Sequence, residues 1–92
     1  MKFELGKTVM TRGLYERYTS DDAFAEFVSH SFGKYANCDW GDCVEEDKRS
    51  NDNAVKNGER ILGVYKNADG ETIWIITEWD RSVTTILFPE EY

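Results

Sequence analysis

Hydrophobic residues follow two different patterns on either side of Gly58. Before Gly58 the clearest pattern lies between Asp21 and Tyr35, where apolar positions recur at the i, i+3, i+4, i+7 spacing of a helix with one buried face. The positions of this stripe are Phe24, Phe27, Val28, Ser31 and Tyr35. After Gly58, β-branched and aromatic residues form short runs that are typical of strands. The pattern therefore predicts helices in the first part of the chain and a sheet in the second.

Capping residues set the expected limits of the first helices. Thr11 is predicted to cap a brief helix that ends near Tyr18, after a short strand over residues 8–10. Ser20 is predicted to cap the helix with the buried stripe, because the two aspartates that follow it favour the positive end of the helix dipole. Two consecutive helices are therefore expected before residue 36.

A third helix is predicted over residues 43–57. Asp42, followed by Glu45 three positions later, reads as a variant capping box at its start, and Gly58 is a typical helix end. Its apolar residues lie only near its two ends, with nine polar residues between them. We therefore expect this helix to be largely solvated and to rest on the fold by its ends.

Three strands are predicted in the second part of the chain, over residues 60–66, 71–79 and 83–88. They are joined by short turns at 67–70 and 80–82, both rich in turn-forming residues. Short turns between consecutive strands make the sheet an antiparallel meander.

Side chains of the middle predicted strand alternate between two faces. One face is expected to carry Ile73, Ile75, Thr77 and Trp79, and the other Trp74, Ile76 and Glu78. Both faces are apolar at the centre of the strand, as in a strand that is partly covered on each side. The expected fold class is therefore α+β: two layers, with N-terminal helices packed on a three- to four-stranded antiparallel β-meander.

Length and charge limit the number of domains and the kinds of binding partner that we expect. The 92 residues are expected to form a single α+β domain over 1–92, helical at about 11–57 and a β-meander at about 60–88. With 18 acidic against 11 basic residues the formal charge is −7, so direct binding to nucleic acid is not expected. No apolar run approaches the ~20 residues that cross a bilayer, so no membrane association is expected. Two cysteines without a visible secretory signal favour reduced thiols and a cytoplasmic location.

The two cysteines and the histidine are weak candidates for a metal site or a catalytic site because of their spacing in the sequence. Cys38 and Cys43 form a C-x4-C arrangement, not the C-x2-C knuckle of zinc sites, so no metal and no cofactor is expected. His30 is the only histidine, and the serines beside it on the predicted helix point in other directions, so it lacks a partner nucleophile. The loop around the cysteines is instead expected to be pinned by a buried Trp40.

Glu78 and Asp80 offer one alternative activity, that of a small hydrolase. If the middle strand continues through them, they point to the same side about 7 Å apart and form an acid and base pair. Arg81 is expected to neutralise one of them, and no phosphate-binding loop or nucleophile elbow accompanies them. The chain is therefore expected not to be an enzyme.

The distribution of acidic residues is the more informative signal. Five acids and no base lie between Asp39 and Asp47. Carboxylates held on a rigid surface can imitate nucleic-acid phosphates, so a basic groove would accept the protein as a decoy. The alternative is an ordinary solvated acidic surface. The residues expected to carry such binding are Asp39, Asp42, Glu45, Glu46, Asp47 and Asp52, with Glu78 and Asp80 second.

Two tryptophans indicate a different surface. Trp74 and Trp79 are expected on opposite faces of one strand, so a small helical layer is not expected to cover both. An uncovered aromatic patch rimmed by acids is typical of a protein-binding site. The same residues fit equally well in the core or in the seam of a homodimer.

Several blocks of the sequence resemble a known group of proteins. The blocks are Met10–Gly13, Asp39–Asp42, Glu45–Lys48, Asn57–Arg60, Ile73–Glu78 and much of the stretch from Asp80 to Tyr92. Together they resemble a family of short acidic proteins labelled only as plasmid-related or hypothetical, found in plasmids, phages and integrative elements of Gram-positive gut bacteria. The chain departs from the family pattern near Cys38, Cys43 and Trp79.

The resemblance implies a biological context rather than a chemistry, because the family carries no activity or catalytic residue to transfer. Small acidic proteins of mobile elements are often inhibitors of host defence, including anti-CRISPR and anti-restriction proteins, and many occupy a basic nucleic-acid channel. Charge and context together favour a non-enzymatic inhibitor of a basic nucleic-acid-binding protein, such as a CRISPR effector or restriction enzyme. The alternative is an adaptor or regulator that binds a replication or transfer protein of the element through Trp74 or Trp79.

Overall fold

Three helices pack against one four-stranded sheet in the computed structural model, which describes residues 2–92. The elements are β1 (Lys7–Met10), α1 (Arg12–Ser20), α2 (Asp22–Ala36), α3 (Glu45–Asn57), β2 (Ile61–Lys66), β3 (Thr72–Thr77), β4 (Val83–Leu87) and a short 3-10 helix (Pro89–Glu91). The predicted α+β class, with N-terminal helices on a sheet, is confirmed.

The sheet has the strand order β1-β4-β3-β2. β2 with β3 and β3 with β4 are antiparallel, so the predicted meander is present. β1 is parallel to β4, with Lys7 opposite Val83, so the sheet is mixed and the expectation of a purely antiparallel sheet was wrong in this detail. A parallel pair needs a long crossover, and all three helices lie between β1 and β4 in the chain.

The buried stripe of α2 is confirmed, but its cap is one residue later than predicted. Asp21 is the N-cap, and its carboxylate accepts a hydrogen bond from the Phe24 N–H at 3.1 Å. Ser20 instead ends α1, where its hydroxyl donates to the Glu16 carbonyl at 2.8 Å. The stripe residues Phe24, Val28, Ser31 and Tyr35 are buried, and Phe27 is half-buried.

The start of α3 differs from the prediction, whereas its end agrees. Val44 is the N-cap and no side chain caps the helix, so the expected capping box is absent. The Asp42 carboxylate accepts the backbone N–H of Lys66 at 2.9 Å instead. Gly58 ends the helix with φ of 68°, a left-handed conformation that favours glycine.

The middle of α3 is not simply solvated, contrary to the prediction. Asn51 is 6% exposed, and its side-chain amide donates to the Leu62 carbonyl at 2.8 Å and accepts from the Leu62 N–H at 3.2 Å. A single amide therefore docks the middle of the helix onto β2. The polar run concealed this contact because the anchoring residue is itself polar.

The hydrophobic core fills the space between the helices and one side of the sheet. Its members include Leu14 of α1, Phe24, Val28 and Tyr35 of α2, Ala54 of α3, and the sheet residues Ile61, Tyr65, Ile73, Ile75 and Ile86. Trp40, in the loop between α2 and α3, is buried against Tyr35 and Phe3, as predicted.

The other side of the sheet, here called the outer face, points away from this core. The strand registers and the alternation of side chains assign to it Val9, Leu62, Val64, Trp74, Ile76, Thr85 and Leu87. Ile76 and Leu87 are buried but do not belong to the core cluster. The Tyr92 ring lies 5.7 Å from the Trp74 ring, so the C-terminal segment covers part of the outer face.

A chain of buried hydroxyl groups crosses the core. Tyr35 lies 2.7 Å from the Thr77 hydroxyl, Thr77 lies 2.8 Å from the Thr84 hydroxyl, and Thr84 donates to the Leu5 carbonyl at 2.6 Å. Because each hydroxyl has one proton, the donors follow in the order Tyr35, Thr77, Thr84. Burial raises the pKa of Tyr35, which keeps its phenol protonated and able to donate. This series of hydrogen-bonded hydroxyl groups joins α2, β3 and β4 to the segment that precedes β1.

Replacing Thr77 with valine should lower the free energy of unfolding by about 1–3 kcal/mol, because the isosteric change removes the acceptor of the Tyr35 phenol and the donor to Thr84. Tyr35 then keeps only a long contact to the Ile61 carbonyl, at 3.4 Å. Thr85→Val is the matched control, since Thr85 is a half-buried threonine of the outer face that makes no side-chain hydrogen bond among the described residues. Urea unfolding of both variants measures the difference. Equal stability of the two variants would contradict the prediction.

Candidate protein-interaction surfaces

The predicted acidic residues between 39 and 52 lie in the loop before α3, in the first turn of α3 and, for Asp52, in the middle of the helix. We call this stretch the acidic segment. It contains six acids and two bases, and therefore a net −4 of the chain's −7. The Asp39 carboxylate accepts the Gly41 N–H at 3.0 Å, within its own loop. Asp42 accepts the Lys66 N–H at 2.9 Å, which fixes the loop to the end of β2. Both side chains are exposed, and both are held by uncharged donors.

Asp52 and Trp40 join the loop to the helix. The Trp40 indole N–H donates to the Asp52 carboxylate at 2.9 Å, and the Trp40 ring is buried in the core. Gly41 continues the loop with φ of 68° and forms an isolated bridge to Val64 of β2. A side chain at Gly41 would collide with backbone, since its Cβ would lie 2.4 Å from the Val64 carbonyl oxygen. The loop is therefore fixed to β2 at the point where Asp39 and Asp42 are displayed.

Glu45, Glu46 and Asp47 occupy the first turn of α3, where negative charge is favourable to the helix dipole. All three are exposed, and Glu45 alone has a basic group within 4 Å, the Lys48 ammonium at 3.8 Å. Successive helix positions are about 100° apart. The three carboxylates therefore fan out from the helix start and do not line a single face.

Carboxylates elsewhere in the fold are more often neutralised. Arg17 contacts Glu71 at 2.6 Å and Asp21 at 3.2 Å, and the hydrogen bonds from Arg17 and Asn67 hold the pKa of Glu71 below its ordinary value. Five ion pairs occur among residues 2–92, and four of them lie outside the acidic segment. The acidic segment therefore carries most of its charge without a basic partner.

The two acids predicted as secondary contacts do not belong to this surface. Glu78 lies 3.7 Å from Arg60, and Asp80 accepts hydrogen bonds from the Ser82 hydroxyl at 2.6 Å and N–H at 3.0 Å. Those bonds lower the pKa of Asp80. Because β3 ends at Thr77, Glu78 and Asp80 do not continue its alternation. The arrangement expected for an acid and base pair on one strand face is therefore absent.

Arg81 does not neutralise either acid, contrary to the prediction. Its guanidinium donates to the Glu59 carbonyl at 2.6 Å and the Ala54 carbonyl at 2.9 Å, at the C-terminal end of α3. Positive charge at this end is favourable to the helix dipole. Arg81 itself has φ of 60° in the turn between β3 and β4. Its role is to dock that turn onto α3.

The two predicted tryptophans occupy different environments, but not opposite faces of one strand. Trp74 lies on the outer face, half-buried beside Tyr92. Trp79 lies beyond the end of β3 in the turn to β4, where it is 67% exposed. The sequence placed Ile76 on the same face as Trp74, but it did not identify Leu62, which lies opposite Ile76, as a member of that surface. The strand register was the missing information.

The remaining candidate groups are the two cysteines and the histidine. Cys38 is half-buried, and Cys43 is buried with its thiol 3.5 Å from the Leu62 carbonyl; burial raises the pKa of both thiols. His30 is exposed on α2. Among the described residues, no group of three or more His, Cys, Asp or Glu side chains is placed to hold a metal ion.

Comparison with protein-family models, curated proteins and solved structures finds no match for this chain. Within residues 2–92, every helix is too short or too polar to cross a membrane. The acidic segment and the outer face are therefore the two surfaces on which a functional assignment rests.

Proposed function

We propose that this chain is a non-enzymatic protein of a mobile genetic element that inhibits a host defence protein in the cytoplasm. Its acidic segment would occupy the basic nucleic-acid groove of a partner such as a CRISPR effector or a restriction enzyme. The observation that supports this proposal is the set of six carboxylates in the acidic segment, which have a single ion pair among them, at 3.8 Å.

The way these carboxylates are held favours such a role. Asp39, Asp42 and Asp52 are each bound by an uncharged N–H group, which fixes the side chain without cancelling its charge. Fixed side chains lose little conformational entropy on binding. Lysine and arginine of a basic groove would therefore meet charges that are already in place, and association would be fast and strongly dependent on salt.

The proposal can be tested by capturing partners with the immobilised protein from a lysate of a Gram-positive gut bacterium. We expect a basic nucleic-acid-binding protein that elutes as salt rises from about 0.05 to about 0.5 M, because the contacts are screened. Added duplex DNA should displace the same protein, since both occupy one groove. The measurement is the amount of the identified partner that remains bound at each salt and DNA concentration.

Displacement by DNA is the decisive part of this experiment. A captured nuclease that stays bound when DNA is added, or that binds DNA and this protein at once, would contradict the proposal that the acidic segment imitates nucleic acid. Capture of non-basic proteins alone would also contradict it.

The outer face supports a second candidate function, an adaptor for a replication or transfer protein of the element. Leu62 and Trp74 are half-buried on the neighbouring strands β2 and β3 and do not belong to the core cluster. An apolar surface of this kind is typical of protein interfaces. Binding at the outer face would resist salt and would be lost in a Trp74→Ala variant. Binding through the acidic segment would weaken as salt rises and would survive Trp74→Ala.

A further inference from the structure

A cavity of about 190 Å³ lies between α2 and the last residues of β2, and we call it the α2–β2 cavity. Phe27 and Ser31 of α2 line one side of it, and Tyr65 of β2 lines the other. Pockets for drug-sized molecules measure about 300–1,000 Å³. The α2–β2 cavity is smaller, and it therefore suits a molecule of the size of an amino acid.

The cavity contains a hydroxyl group that the fold does not use. Ser31 is 3% exposed, and its side chain makes no hydrogen bond among the described residues. No side-chain oxygen or nitrogen of residues 2–92 is both fully enclosed and without a partner. The Ser31 hydroxyl must therefore open into the cavity that Ser31 lines. Because buried polar groups are normally hydrogen-bonded, this hydroxyl calls for a partner from outside the fold.

Charged side chains of both signs surround the cavity without pairing. The acids are Glu26 and Asp42, and the bases are Lys34 and Lys66. None of these four residues belongs to an ion pair of residues 2–92. Glu26 and Lys34 are more than two turns apart on α2, about 12 Å along its axis, with His30 between them. The cavity therefore has no net charge from these four residues, but its positive and negative groups are held apart.

We propose that the α2–β2 cavity binds a free amino acid with an apolar side chain. Its carboxylate would contact Lys34 and accept a hydrogen bond from Ser31, and its ammonium group would contact Glu26. Its side chain would lie against the rings of Phe27 and Tyr65. This inference does not depend on the proposed function, and its test uses the isolated chain, so the two can fail separately.

The charges of the cavity favour a zwitterion over a ligand with one charge. An anion would lie beside Glu26 and Asp42, and a cation would lie beside Lys34 and Lys66. Like charges brought together oppose binding, whereas a zwitterion meets an opposite charge at each end. The Tyr65 hydroxyl already donates to the Asp39 carbonyl at 2.7 Å, so Tyr65 offers the ligand its ring and not its hydroxyl.

Titration with L-leucine, followed by the backbone amide resonances of the protein, tests this binding. We expect saturable shifts of Phe27, Ser31 and Tyr65, with a Kd of about 1 mM or below. Isocaproate is leucine without its amino group, and isopentylamine is leucine without its carboxylate. Each should bind about tenfold more weakly than leucine, because each loses one charged contact. The absence of saturable shifts with leucine would show that the cavity holds solvent only and would overturn the proposal, and so would isocaproate that binds as tightly as leucine.

Replacing Ser31 with alanine tests the role of the unused hydroxyl. Affinity for leucine should fall about threefold to tenfold, whereas the free energy of unfolding should not fall, because the hydroxyl has no partner in the fold. Ser29→Ala is the matched control, since Ser29 is an exposed serine of the same helix that does not line the cavity. Equal affinity of the two variants for leucine would overturn the proposal.

Two further variants test the orientation of the ligand. Lys34→Gln should weaken the binding of leucine and isocaproate but not that of isopentylamine, and Glu26→Gln should weaken leucine and isopentylamine but not isocaproate. Lys56→Gln, at an exposed position in the last turn of α3, is the control for a change of net charge. A loss of leucine binding in Lys56→Gln as large as that in Lys34→Gln would overturn the proposal.

Discussion

Reversing Glu45, Glu46 and Asp47 to lysine should reduce binding to the basic partner by about a hundredfold or more. The change replaces three attractive charges of the acidic segment with three repulsive ones. It also places positive charge at the start of α3, which costs about 0.3–1 kcal/mol of stability per residue through the helix dipole. The fold should therefore survive with lower stability. Titration of the captured partner with the variant measures the loss.

A second triple variant separates local from overall charge. Reversing Glu59, Asp69 and Glu90 to lysine changes the net charge by the same amount, and all three are exposed residues without an ion pair. The control should keep most of its affinity, because none of its changes lies in the acidic segment. Equal weakening in the two variants would show that net charge alone drives binding, and unchanged affinity in the first would remove the acidic segment from the interface.

Replacing Trp40 with alanine should lower the free energy of unfolding by about 3–5 kcal/mol. Trp40 is 3% exposed, its ring lies 5.5 Å from Tyr35 and 6.1 Å from Phe3, and its indole N–H binds Asp52. A domain of this size has a total stability of about 5–15 kcal/mol, so the change would remove a large part of it. Urea unfolding followed by circular dichroism measures the effect.

Trp40→Phe distinguishes the packing of the ring from the hydrogen bond to Asp52. Phenylalanine keeps an aromatic ring in the cluster but has no donor, so its cost should be clearly smaller than that of alanine. The same variant releases the Asp52 carboxylate while leaving its charge unchanged. If the acidic segment binds as proposed, affinity should fall severalfold in Trp40→Phe; equal destabilisation by phenylalanine and alanine would contradict the role given to the ring.

Patterns that repeat along the chain were predictable, whereas contacts made by single polar groups were not. The stripe of α2 and the meander of β2 to β4 depend on periodic burial, which a sequence records directly. Asn51 and Arg81 dock α3 through one side chain each, and a lone asparagine or arginine in a polar stretch has no periodic signature. Asp42 was assigned to the wrong partner because a cap and a contact to β2 need the same carboxylate.

The position of the acidic segment could be predicted from the sequence, but the ion pairing of its carboxylates could not. A list of acids does not show which of them are neutralised, and Glu78 differs from Asp39 only because the fold brings Arg60 to it. Trp79 was misplaced because the strand ends two residues before it, at Thr77. The parallel pairing of β1 also had no local signal, since it depends on where the chain returns after three helices.

That parallel pairing has a consequence for the order of events during synthesis. Lys7 finds its partner only when Val83 has been made, and at about 5–20 residues per second the intervening chain takes roughly 4–15 s to emerge. Until then β1 and the buried hydroxyl chain that ends at Leu5 lack the strand that completes them. The nascent helices therefore wait for β4, and the domain acquires its cooperativity only after that strand has emerged.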